Sequence, residues 1–74
     1  MITIKCAKCR NKILKYLKIG EGKILRCYKD RIKKYYIDPK DDKLICNCGN
    51  IIGVDIGGYF KMSQSAFTYS GHIN

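Results

Sequence analysis

The 74-residue chain reads as a small, mostly β, antiparallel domain, and three observations lead there. Short runs rich in β-branched residues recur along it, among them Ile2-Thr3-Ile4-Lys5 and Asn50-Ile51-Ile52-Gly53-Val54-Asp55-Ile56. Such runs suit a pleated, half-buried surface. Turn-forming breaks separate them at Gly20-Glu21-Gly22, Asp38-Pro39-Lys40-Asp41-Asp42 and Gly57-Gly58. Four of the five cysteines form two tight pairs, Cys6-Ala7-Lys8-Cys9 and Cys46-Asn47-Cys48, each following a short apolar run.

A chain of this size makes one domain, residues 1–74, and cannot rest comfortably on apolar burial alone. Small domains commonly add a staple. Two loops that each offer two thiolates match a zinc ion, which takes about four soft ligands in a tetrahedron, roughly 2.3 Å from each sulfur. Cys6, Cys9, Cys46 and Cys48 are therefore the candidate ligands of one structural Zn2+, closed to water and substrate. Gly49 stands where a turn needs positive φ, so that amides can point back at the sulfurs. Disulfides are the competing expectation. Against them, the odd count leaves one thiol over, and a Cys46–Cys48 bond would close a strained ring. No apolar signal-peptide core precedes Cys6, so the expected compartment is a reducing cytoplasm. No stretch approaches the ~20 apolar residues of a membrane span.

Taken in order, Ile2–Lys5 is a strand leading into the first cysteine knuckle. Residues 12–19 and 23–28 read as two strands of a hairpin around Gly20-Glu21-Gly22. Residues 29–34 hold one apolar side chain among six and suit an exposed turn or a single helical turn. Tyr35-Tyr36-Ile37 starts another strand. Lys43-Leu44-Ile45 leads into the second knuckle as Thr3-Ile4-Lys5 leads into the first, so strand, knuckle and hairpin are used twice. Residues 50–56 form a strand, bulged at Gly53. Residues 59–62 return after the Gly57-Gly58 turn. Ser63-Gln64-Ser65 is a loop, 66–69 a last strand, and 70–74 a frayed tail. His72, the only histidine, falls in that tail. Cys27, mid-strand, is expected to act as a small buried hydrophobe.

The formal net charge is +9. Residues 1–34 hold twelve of the fifteen Lys and Arg against Glu21 and Asp30 alone, which leaves +10, while residues 35–74 carry −1. So uneven a balance points to a polyanionic partner, nucleic acid before a membrane surface, with RNA favoured over DNA. Lys12, Lys15, Lys18, Arg26, Lys29, Arg31, Lys33 and Lys34 are the candidate phosphate contacts. Tyr28 and Tyr35 are the candidate stacking rings. The plainer alternative makes the tyrosines core and the lysines solubilising. No Gly-rich phosphate loop, Ser/His/Asp set or acid pair beyond the Asp41-Asp42 turn is present, so neither an enzyme nor a small-molecule substrate is expected.

The two knuckles resemble those of zinc ribbons, in which cysteine loops on β-hairpins clamp one zinc. Thirty-six residues lie between Cys9 and Cys46, a spacing similar to that of β-tent zinc domains, the Yippee-like and cereblon-type folds. Ile52-Gly53 resembles the Leu-Gly those domains carry after the second knuckle, while Cys46-x-Cys48 departs from their two Cys-x2-Cys loops. The chain also resembles a group of small prokaryotic zinc-ribbon proteins. That resemblance runs through Cys6-x2-Cys9, Lys18–Lys23, Arg26–Ile32, Cys46–Gly53 and Lys61-Met62, and it implies no activity. The β-tent resemblance implies a second function, a protein-interaction adaptor using a sheet face or a groove beside the second knuckle. A third is redox or metal handling by Cys46-x-Cys48.

Overall fold

The computed structural model describes residues 1–18 and 22–71. Eight strands run through them: β1 (Ile2–Cys6), β2 (Lys12–Tyr16), β3 (Arg26–Tyr28), β4 (Ile32–Tyr35), β5 (Lys43–Ile45), β6 (Ile51–Asp55), β7 (Tyr59–Met62) and β8 (Phe67–Gly71). A single 3-10 turn, Lys29–Arg31, precedes β4. The strands form two four-stranded antiparallel sheets, ordered β4-β2-β1-β8 and β3-β7-β6-β5. Among the described residues, no helix is long and apolar enough to cross a membrane.

Each half of the chain builds three neighbouring strands of one sheet and lends a strand to the other. β3 leaves the N-terminal half to pair with β7, and β8 leaves the C-terminal half to pair with β1. The buried faces meet in one cluster, with Ile2, Ile4 and Leu14 from the first sheet and Leu44, Ile52 and Phe60 from the second. Burying each such side chain contributes on the order of 1.5–3 kcal/mol.

The register shifts at three strand pairs, and two of these bulges sharpen the packing. Ile4 pairs with Leu14 but Lys5 with Lys12, so Ile13 is the extra residue of β2 and both Ile13 and Leu14 are fully buried. Leu44 pairs with Gly53 but Ile45 with Ile51, which makes Ile52 the extra residue of β6. The bulge thus lies one residue before the expected Gly53. Gly53 has a separate reason to be glycine: a Cβ there would stand 3.0 Å from Met62 Sδ and 3.1 Å from the Lys61 carbonyl oxygen.

The expected hairpin of residues 12–19 and 23–28 does not form. β2 pairs with β1 and β4, whereas β3 belongs to the other sheet. A long-range contact replaces it. The buried Tyr16 hydroxyl accepts from the Tyr28 amide at 3.2 Å and donates to the Arg26 carbonyl at 3.4 Å, meeting backbone groups of β3 that the hairpin would have paired. The 3-10 turn fits the turn expected over 29–34, but β4 begins at Ile32 rather than Tyr35. As an edge strand it tolerates charged side chains such as Lys33 and Lys34. Ser70 and Gly71, expected in a tail, pair with Thr3 and Ile2. Gly71 adopts φ 123°, where a Cβ would come within 2.6 Å of the Met1 carbonyl oxygen. Ile19, Gly20, Glu21, His72 and the last two residues lie outside the described residues.

Candidate metal centre

Both cysteine pairs sit on hairpin turns built alike, one joining β1 to β2 and the other β5 to β6. In the first, the Arg10 amide donates to the Cys6 carbonyl (3.0 Å) and the Cys6 amide to the Asn11 carbonyl (2.9 Å). In the second, the Gly49 amide donates to the Cys46 carbonyl (2.8 Å) and the Cys46 amide to the Asn50 carbonyl (2.9 Å). Each turn ends on a left-handed residue, Arg10 at φ 63° and Gly49 at the expected positive φ, 93°. The second turn is one residue shorter, and that difference turns Cys-x2-Cys into Cys-x-Cys. The chain therefore writes Cys-Arg-Asn and Cys-Gly-Asn at matching places.

The fold brings all four sulfurs together, within 4.8 Å of one another. The shortest approaches join one knuckle to the other, Cys6 Sγ to Cys48 Sγ at 3.6 Å and Cys9 Sγ to Cys46 Sγ at 3.2 Å. Thiolates ~2.3 Å from a tetrahedral ion stand about 3.8 Å apart, so a metal fits with small adjustment. None of the cysteines is in a disulfide. Cys6 and Cys46 are buried, Cys9 and Cys48 exposed. Asn50, which composition and spacing did not single out, spans the site. Its side-chain amide donates to Cys6 Sγ at 3.4 Å and to the Ala66 carbonyl at 2.8 Å.

The two buried thiols are tuned in opposite directions. Burial pushes Cys6 up, but the Cys9 amide, the Asn50 side chain, the Lys8 amide and Cys48 together hold it down at about 6. Burial pushes Cys46 up to about 12 and the neighbouring sulfurs add to this, against one opposing amide, that of Cys48. The donors around Cys6 thus favour its thiolate, while burial favours the thiol at Cys46. Cys27 is apart from it, fully buried opposite Phe60, with its thiol pushed up to about 12 by burial. It is the core residue expected.

The expected nucleic-acid contacts do not share one face. Lys12, Lys15 and Lys34 lie on the first sheet, joined by Lys5, which pairs with Lys12. Lys33 and Tyr35 are exposed on β4. Arg26 and Tyr28 lie on the second sheet, opposite Lys61 and Tyr59, and Arg31 stands over the Tyr28 ring at 5.0 Å. Lys29 forms an ion pair with Asp55 at 2.8 Å. That bond, with help from the Gly57 amide, holds the Asp55 carboxyl below its usual range. Lys18 is 5% exposed and lines a small pocket together with Lys23, Arg26, Tyr28 and Arg31. The backbone beside it is tied to the 3-10 turn, Leu17 N–H donating to the Arg31 carbonyl at 2.9 Å. Lys5, Tyr59 and Lys61 are surface residues that residue-by-residue inspection missed, because only strand register places them beside the others.

The chain matches no protein-family model, no curated protein and no solved structure.

Proposed function

We propose that the chain is a non-enzymatic module, held by one structural zinc, that binds RNA through its cationic sheet surfaces. Zinc suits four thiolates at tetrahedral spacing, and with all four engaged it offers no position for substrate. Two sheets whose knuckle hairpins converge on one cluster of four sulfurs support the reading of a single shared ion.

The observation that supports RNA is the strand register. Lys5 stands opposite Lys12, Lys15 opposite Lys34, and Arg26 opposite Lys61. Like charges directly opposite one another destabilise a sheet. No acid pairs with any of these six residues in the register. A phosphate backbone converts each repulsive pair into an attractive site and releases counterions as it binds. The test is the affinity of a labelled single-stranded RNA across a salt series. The log–log slope should fall by about 0.7 for each phosphate neutralised, and Lys33→Glu with Lys34→Glu should weaken binding further. A flat salt response contradicts the proposal.

One feature favours the second function, a protein adaptor. A groove of about 460 Å³ lies beside the second knuckle, bordered by Tyr36, Ile37, Ile45 and Gly49. An extended peptide is the occupant it suits, and a salt-independent protein partner would point there.

A further inference from the structure

We propose that an unpaired RNA nucleotide docks on the outer face of the second sheet, its base against the Tyr28–Tyr59 pair and its phosphate among Lys23, Arg26 and Arg31. This rests on the RNA-binding function above and adds the strand state and the place. Tyr28 and Tyr59 are register partners on β3 and β7, with ring centroids 5.7 Å apart and planes inclined by 53°. An arginine stands over each: Arg26 over Tyr59 at 5.2 Å and Arg31 over Tyr28 at 5.0 Å.

The rings open onto a groove of about 650 Å³, with Leu25 and Met62 supplying apolar wall and Lys23, Arg26 and Lys61 the rim. A smaller pocket of about 120 Å³ adjoins it, sharing Lys23, Arg26 and Tyr28 and adding Lys18 and Arg31. Among the described residues, no acid lines either cavity. An aromatic platform beside a pocket that gathers several cations is complementary to a nucleotide, which carries a flat π-face and an anionic phosphate a few bonds apart. On binding, the guanidiniums exchange their rings for phosphate oxygens while the base takes the freed ring face. Cation–π contact at an exposed site is worth only ~0.5–1 kcal/mol, so base stacking and a charge-assisted phosphate bond outweigh it. A duplex keeps its base faces stacked within the helix, out of reach of such a platform.

The experiment measures binding of the metal-loaded chain to a labelled ten-nucleotide uridine RNA, to the same length of thymidine DNA, and to a ten-base-pair RNA duplex. Tyr28→Leu and Tyr59→Leu should each weaken binding of the uridine strand about 5- to 150-fold, the loss of one stacked base. The preference for single strand over duplex should collapse accordingly. The chain has no tryptophan, so its emission is tyrosine's, and unlabelled uridine RNA should quench it in the unsubstituted protein. That second readout stands even where a variant fails to fold. Equal uridine and thymidine affinities keep the stacking site but show that the ribose is not read. Unchanged affinity in both tyrosine variants with no quenching, while Lys33→Glu with Lys34→Glu still weakens RNA, overturns this site and leaves the RNA function standing. No binding to any of the three strands overturns both.

Discussion

Asn50 does the most of any single residue outside the four cysteines. Its amide reaches a sulfur of the other knuckle and the carbonyl of Ala66, just before β8, so one side chain ties three segments at the metal site. Groups that support metal ligands commonly carry 10- to 100-fold of affinity. Asn50→Ala should therefore weaken zinc binding by about that factor at unchanged stoichiometry, read by competition with a chelator. An unaltered affinity would show that the amide does not orient Cys6. Tyr16 holds a comparable place between the sheets. Tyr16→Phe keeps the ring but strips partners from the Tyr28 amide and the Arg26 carbonyl. Denaturant titration should show a loss of about 0.5–1.5 kcal/mol, the usual net contribution of a hydrogen bond.

At the scale of elements, β1, β5, β6 and β7 are readable along the chain because each has one partner nearby in sequence and its apolar residues precede or follow a clear turn. Both knuckles are readable for the same reason. The route from β2 to β3 is not. Lys12–Tyr16 and Arg26–Tyr28 look like the arms of a hairpin, yet what decides their pairing is the fit of Tyr16 against a strand of the other sheet and of Cys27 opposite Phe60. These are contacts between strands that are not neighbours in a hairpin, and no local pattern announces them. The site was readable in its four ligands but not in Asn50, whose role depends on where Ala66 arrives. The charge imbalance was visible too, whereas its division between two sheets, and the recruitment of Tyr59 and Lys61 from the less basic half, required the register.

Register also sets up a trade between stability and binding within β2. Lys15→Glu places a carboxylate opposite Lys34 in place of a like charge. It should raise stability by about 0.2–1 kcal/mol in denaturant titration. The same change should weaken RNA binding at low salt. A variant that gains stability and binds RNA as before would show that this face is not part of the interface.

For the molecule as a whole, the lent strands and the metal site solve one problem from two ends. β3 and β8 exchange between the halves, so neither sheet is complete without the other half of the chain. The four sulfurs are placed so that one ion held by them would lock the turn of the β1–β2 hairpin to that of β5–β6. A domain this small gains from such closure, and removing the ion leaves four thiols crowded together, two of them buried. Chelation should therefore cost the chain its cooperative fold, and with the fold the alignment of lysine and tyrosine faces on which the proposed RNA binding depends. Native mass spectrometry of the chain, purified at low salt without added metal, tests this most directly. The account predicts one zinc per chain, none in the Cys48→Ser variant, and copurifying RNA that high salt removes; a compact, metal-free chain would contradict it.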